Sequence, residues 1–250
     1  MSGIYTQEFK IRSTEVNKHR FLRTSALFTM LQEISIAHTT ALGMGRDKTL
    51  DRGLLWILAQ QRAEINRMPE YDEDVVLKSW PGDMMRMLFP RYYQMETADG
   101  EILIKGSAIW SLLGEESRTL IDSDEYGVHI DGYTTGDEID LIAGPRPSEL
   151  TNHSEFSVPF SYIDINGHLN NAKYFDIVDD LIPAAHEGLM PSLIAVRYIT
   201  EARENSILNL DWGFTPADET EDTDCAGSYY TVCTSGEQTT FKMQTVYRNR

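Results

Sequence analysis

An α+β architecture built from two similar modules in tandem is predicted by three observations. The order strand, long helix, several antiparallel strands occurs twice along the chain. A stretch rich in Gly, Pro, Asp and Thr parts the two runs, and one polar signature is echoed in both. The expected division is an N-terminal module over 1–121, a connecting segment over 122–150 and a C-terminal module over 151–250. A helix that is apolar on several sides needs a sheet wrapped around it, and two such sheets joined edge to edge cover each other's open strands.

The elements follow in order. Residues 4–12 alternate, with Tyr5, Phe9 and Ile11 opposed to Thr6, Glu8, Lys10 and Arg12, which predicts a strand with one wet face. From Thr24 or Ser25 as N-cap, Leu27, Leu31, Ile34, His38 and Ala41 share a helical face that ends near Gly43 and Gly45. His38 on that face reads as a satisfied core histidine. Trp56–Ile65 and Asp74–Trp80 read as strands, then Leu88–Glu96 and Ile102–Leu113 as a hairpin closed by Ala98-Asp99-Gly100. Thr119–Ile121 closes the first run. The second run is Phe156–Ile163 as a strand, Asn170–Ala185 as the helix, then strands at Ile194–Ala202, Ser206–Phe214, Ser228–Thr234 and Thr239–Arg248. Pro216–Asp224 holds five acids and reads as a solvated loop.

Composition narrows the function classes. The 41% hydrophobic and 10% aromatic content supports a sizeable core. A net charge of -17 argues against nucleic acid and against an anionic membrane, because phosphate binding needs clustered cations. No apolar run is long enough for a membrane span, and the start has no signal-peptide pattern. Cys225 and Cys233 make no disulfide framework and no metal-ligand spacing, so a reducing cytoplasm is expected and no metal or cofactor. Lys10, Arg12, Lys18, Arg20 and Arg23 form a local basic stretch within this acidic chain. A solvated surface is its plainer reading, and a docking patch for an acidic partner the alternative.

The chemistry concentrates in Tyr162-Ile-Asp-Ile-Asn-Gly-His-Leu-Asn-Asn-Ala-Lys-Tyr174. Asp164, Asn166 and His168 alternate, Asn166-Gly167 is a turn signal, and Asn170 or Asn171 suits a helix N-cap. The helical face after it is Tyr174, Ile177, Val178, Leu181, Ile182 and Ala185. A carboxylate, an amide and an imidazole beside exposed N–H groups of a helix start make a place to stabilise an oxyanion. Taken alone, such a string is more often turn chemistry than catalysis. Glu15-Val-Asn-Lys-His19 mirrors Asp164-Ile-Asn-Gly-His168, while the helix around Leu27–Ile34 matches that around Tyr174–Leu181 only after a two-residue shift. The first copy reads as a decayed or structural echo, with chance similarity as the alternative.

Asp164-x-Asn166-x-His168-x-Asn170-Asn171-x-x-Tyr174 resembles the motif of acyl-acyl-carrier-protein thioesterases. Arg197-Tyr-Ile-Thr-Glu201-Ala202-Arg203-Glu204-Asn205-Ser206-Ile207 is similar to that family's second signature, and Leu31-Gln32-Glu33, Trp56-Ile-Leu and Arg67-Met-Pro69 match in the first half. The resemblance implies a tandem hotdog fold, each half a long helix wrapped by an antiparallel sheet. It implies hydrolysis of fatty acyl thioesters on an acyl carrier protein, in fatty acid biosynthesis, without a cofactor. The catalytic set would be Asp164, Asn166, His168 and Glu201, with Glu201 or His168 as general base. Plant members carry cysteine directly after the glutamate; Ala202 here excludes a thiol nucleophile, and the lack of a transit segment resembles the bacterial type.

By the same resemblance the acyl pocket lies in the first half, with helix 27–42, Trp56, Met84, Met85, Met87 and Leu88 as lining. Arg12, Lys18, Arg20, Arg23, Arg86 and Arg91 would steer the acidic carrier. An acyl-CoA thioesterase and a non-catalytic acyl-binding protein of the same fold are the competing readings. Acyl chain length and association into a homodimer are left open by the sequence.

Overall fold

Ten strands join into one antiparallel sheet whose order is the same read from either edge: β1-β3-β4-β5-β2 and then β7-β10-β9-β8-β6. The structure is a computed structural model and describes residues 3–141, 143–217 and 224–249. The first half contributes β1 (Tyr5–Lys10), α1 (Thr24–Ala41), β2 (Leu54–Ile65), β3 (Asp74–Pro81), β4 (Leu88–Thr97) and β5 (Ile102–Gly114). The second contributes β6 (Asn152–Ser157), α2 (Lys173–Asp179), α3 (Pro183–Glu187), β7 (Pro191–Tyr198), β8 (Ile207–Pro216), β9 (Cys225–Ser235) and β10 (Gln238–Arg248). The halves meet where β2 pairs β7, from Gln60 opposite Arg197 to Glu64 opposite Leu193. That junction pairs two strands which would otherwise offer open edges. The outer edges fall to β1 and β6, both short and largely polar.

One core runs through both halves. Leu27, Phe28, Leu31 and Ile34 of α1 and Tyr174, Phe175, Ile177 and Val178 of α2 are buried against the sheet. Phe28 stacks on Phe175 with ring centroids 4.1 Å apart, so the two helices meet through equivalent residues. Burying each such side chain contributes about 1.5–3 kcal/mol. Among the described residues, the connection between the halves has no strand of its own but is anchored. Val128 and Ile130 sit in a second apolar cluster with Leu54, Phe89 and Leu112. Backbone groups of the connection pair with the first half through Tyr133 N–H to the Pro81 carbonyl (2.8 Å) and Gln60 Nε2–H to the Leu141 carbonyl (2.7 Å). Arg146 N–H donates to Gln244 Oε1 of the second half at 3.0 Å. These contacts give Gln60 and Gln244, both buried, a polar partner each.

Several sequence expectations shift. The helix expected over Asn170–Ala185 is broken: α2 spans Lys173–Asp179, and α3 restarts at Pro183 after Ile182 adopts extended geometry. A proline disfavours helical geometry in the residue before it, which explains the break. The strand expected at Phe156–Ile163 lies earlier, at Asn152–Ser157, and Phe160–Tyr162 is a 3-10 turn. Thr119–Ile121 is no strand; Leu120 makes one isolated bridge to Leu113. Neither Thr24 nor Ser25 caps α1, whose N-cap is Arg23 without a side-chain cap, and Thr24 instead hydrogen-bonds the Asp179 carboxyl. Ile199–Ala202 lies beyond β7, in the loop to β8. The acids at 218–223 lie outside the described residues.

Candidate active site

The turn at 163–169 is held by its own backbone and by one carboxylate. Ile163 and Leu169 bridge, Asp164 N–H donates to the His168 carbonyl at 2.8 Å, and Gly167 N–H returns to the Asp164 carbonyl at 3.1 Å. Gly167 takes a φ of 79°, which a side chain would strain. Asp164 Oδ1 accepts the N–H groups of Asn166 (2.8 Å) and His168 (3.3 Å). The carboxylate thus shapes the turn that presents His168 and makes no bond to the imidazole.

A second loop delivers the partner. Leu169 N–H donates to the Ala202 carbonyl at 2.8 Å, tying the loop after β7 to the turn. Glu201, one residue earlier, then lies with Oε2 3.0 Å from His168 Nε2. The imidazole is largely shielded, at 11% side-chain exposure, while the Glu201 carboxylate is 45% exposed and open to water. Arg118, in the turn after β5, approaches the same carboxylate oxygen at 3.5 Å. Nothing in the sequence pattern pointed to Arg118; it belongs to no periodic element, and its backbone is left-handed at φ 53°.

Beside this turn opens a cavity of about 690 Å³. Its walls come from α1 (Gln32, Ser35, Ile36), from β2, β4 and β5 (Trp56, Phe89, Trp110) and from Asp164, Asn166 and Asn170. Most of the wall, apolar and polar, therefore comes from the first module, and residues of the 163–170 turn close one end. Asn166 is exposed there, and its side-chain amide has no partner among the described residues. His168 and Glu201 are carried by the same turn and its tied loop, outside the cavity lining. At the start of α2, the N–H groups of Ala172 (2.8 Å) and Lys173 (2.9 Å) are taken by Asn170. Those two are engaged within the protein and do not serve an oxyanion.

Two family models match the chain over nearly its whole length, the acyl-ACP thioesterase N-terminal domain at residues 2–126 and its C-terminal domain at 146–249. The chain belongs to the acyl-ACP thioesterase family. A chloroplastic acyl-(acyl-carrier-protein) hydrolase of Cuphea viscosissima is 24% identical over 243 residues, which cover 86% of this chain and 56% of that protein. The chain spans about half the length of the curated relatives it matches. Among solved structures, the 12:0-ACP thioesterase from Umbellularia californica has a TM-score of 0.82 at 20% identity, covering 99% of this chain and 95% of the other. An acyl-ACP thioesterase from Bacteroides thetaiotaomicron has a TM-score of 0.79 at 19% identity, with 98% of each chain covered. These likenesses establish the fold, a double hotdog.

In this acyl-ACP thioesterase family member, Asp164, Asn166, His168 and Glu201 come together through one turn and one loop. Ala202 is 2% exposed and offers no nucleophile. Of the residues expected to line an acyl pocket, Trp56 and α1 residues such as Gln32, Ser35 and Ile36 line this cavity. Met84, Met85, Met87 and Leu88 are not among the lining residues; Met85 and Met87 are exposed, and Met84 packs on the second apolar cluster. Arg12, Lys18, Arg20, Arg23 and Arg86 are exposed. Arg91 is buried at 4% exposure, so it is no surface steering residue. No helix among the described residues is long and apolar enough to cross a membrane.

Proposed function

We propose that the protein hydrolyses fatty acyl thioesters carried on an acyl carrier protein, yielding the free acid and the carrier thiol. The observation that carries this reading is the His168–Glu201 pair, 3.0 Å apart, beside a largely apolar cavity of about 690 Å³. Glu201, open to solvent and oriented by His168 and Arg118, binds the attacking water and takes its proton as the oxygen adds to the thioester carbonyl. The carbonyl becomes an oxyanion, for which the unpartnered amide of Asn166 is the donor at hand. The C–S bond then breaks, and the proton passes through Glu201 and His168 to the departing sulfur. General base assistance of this kind is worth about 10²–10⁴-fold, and an oxyanion donor about 2.7–4 kcal/mol. Asp164 acts at one remove, by fixing the turn. The exposed cations Arg12, Lys18, Arg20, Arg23 and Arg86 would meet the acidic carrier. The two free cysteines, Cys225 and Cys233, suit a cytoplasmic setting.

The test is thiol release by the purified protein from one acyl group carried on acyl carrier protein and on coenzyme A. Faster turnover on the carrier is expected. Equal or faster turnover on coenzyme A would transfer the assignment to acyl-CoA hydrolysis. Acyl binding without thiol release at any chain length would make it an acyl-binding protein.

A further inference from the structure

The cavity leads away from the catalytic turn, and the segment between the modules builds part of its far wall. β2 pairs β7, whose following loop carries Glu201, and beyond β2 the sheet continues through β5 and β4 to β3. Lining residues follow that order, with Leu54 and Trp56 on β2, Trp110 on β5, Phe89 on β4 and Pro81 on β3. A hydrocarbon whose thioester lies beside His168 and Glu201 therefore extends across the first module towards β3.

Among the described residues, Ile130 is the one contribution of the 122–150 connection to that lining. The stretch around it alternates. Val128 and Ile130 are buried with Leu54, Phe89 and Leu112, while His129 and Asp131 face solvent and pair side chain to side chain at 3.1 Å. Val128 is wholly buried and stays out of the lining, so Ile130 alone of the two meets the cavity. The backbone is pinned on both sides. Arg52 Nη1 donates to the Tyr126 carbonyl at 3.1 Å, and Tyr133 N–H to the Pro81 carbonyl at 2.8 Å. Gly132 lies so close to Asp83 that a Cβ there would strike the Asp83 backbone. Ile130 is thus a fixed stop, since a close-packed and hydrogen-bonded backbone yields little.

We infer that Ile130 is a specificity-determining residue, and that through it the connection between the modules sets the longest acyl chain the cavity accepts. This rests on the acyl-thioester reading of the neighbouring catalytic pair. A chain that stops short leaves a void before Ile130, and one too long must displace it from its buried neighbours. One methylene more or fewer in an apolar pocket is worth about 10–200-fold.

The experiment measures kcat/KM for thiol release from a series of saturated acyl groups on acyl carrier protein, lengthened in steps of two carbons. Ile130→Ala should shift the ratio of long to short chains at least tenfold towards the long, and Ile130→Phe at least tenfold towards the short. Rates on the shortest acyl groups, which do not reach Ile130, should stay within threefold of wild type. Val128→Ala loosens the same apolar cluster outside the lining; it should lower the melting temperature and leave the length profile in place. If Ile130→Phe does not fold, Ile130→Ala decides. A profile unmoved in the folded Ile130 variants, or moved as far by Val128→Ala, overturns the proposal and leaves Ile130 a packing residue. Absence of thiol release at every length would sink the hydrolase reading instead. The length limit is then read from calorimetric binding of amide analogues of the same series, whose affinity order should shift in the same directions or the proposal fails as well.

Discussion

The turn at 16–22 and the turn at 163–169 fold alike and hold different chemistry. In the first, Val16 bridges Leu22, Asn17 N–H donates to the Phe21 carbonyl, and Asn17 Oδ1 accepts from His19 and Phe21. In the second, Ile163 bridges Leu169, and Asp164 plays the part of Asn17. The loops tied to them match as well: Leu22 N–H meets the Pro69 carbonyl as Leu169 N–H meets that of Ala202. Phe21 therefore stands where His168 stands, and Met68 where Glu201 stands. The equivalence overturns the pairing of Glu15-Val-Asn-Lys-His19 with the second motif. The true register runs two residues later and continues without a shift into the helices, as the Phe28–Phe175 stack shows. One scaffold thus carries a titratable pair in one copy and an apolar pair in the other. The hydrogen bonds that shape the turn are separable from the groups proposed to do the chemistry.

That separation can be broken most forcefully by copying the first site onto the second. His168→Phe with Glu201→Met should abolish turnover, by at least 100-fold, while the chain stays folded by circular dichroism and thermal melting. Glu201→Ala and His168→Ala alone should each cost at least tenfold. Wild-type rates in a folded variant would remove that residue from the mechanism.

Asp164 sharpens the point with a smaller effect. Asn17 shows that an amide oxygen suffices to hold this turn. Asp164→Asn should then keep stability within about 1 kcal/mol, whereas Asp164→Ala leaves two N–H groups unanswered and costs about 1–3 kcal/mol. Urea denaturation of both variants measures the difference.

A third comparison sets Arg20, at φ 70°, beside Gly167, at φ 79°. A non-glycine residue pays for that geometry, so Arg20→Gly should stabilise the protein by about 0.5–1 kcal/mol or be neutral. A loss of stability would mean that the Arg20 side chain contributes more than its backbone costs.

The last comparison is read through pH and concerns Asp179, which lines a second, more polar cavity beside the first turn. Its counterpart on α1 is Gln32, which lines the first cavity. Asp179 is half-buried by surface area, yet desolvation pushes its carboxyl up to about 7, with Asp176 and Asp180 adding to the rise against a lowering bond from Thr24. The folded state therefore holds a proton that the unfolded chain releases near pH 4. Its contribution to stability is present at low pH and is lost as pH rises from about 4 through 7. Asp179→Gln should flatten that decline, with its largest stabilisation above pH 7, as read from melting temperatures at pH 5 and pH 8.

Much of this was written in local pattern. The hairpin of β4 and β5, the strands β2 and β3, and α1 follow alternation, turn residues and helical spacing. The break in the second helix was equally local, since Pro183 stood in view and forbids helical continuation. β6 was harder to see because an edge strand with Asn152, His153, Ser154 and Glu155 has no apolar alternation to reveal it. The repeat was misregistered because shared letters, Asn17 with Asn166 and His19 with His168, hide which atoms close each turn.

By itself, then, the chain determined its two-module order and its helices' apolar faces, while Asp164, Asn166, His168 and Glu201 were drawn together as one set only through the family resemblance. Module order and apolar faces depend on near neighbours, whose geometry periodicity and side-chain chemistry dictate. Only the tertiary structure brought His168 to Glu201, through a Leu169–Ala202 bond across more than thirty residues, and added Arg118 from the other module. It alone placed Arg91 inside and left Met85 and Met87 outside. Burial and long-range approach are properties of the packed sheet, set by which surfaces meet when two modules share one core.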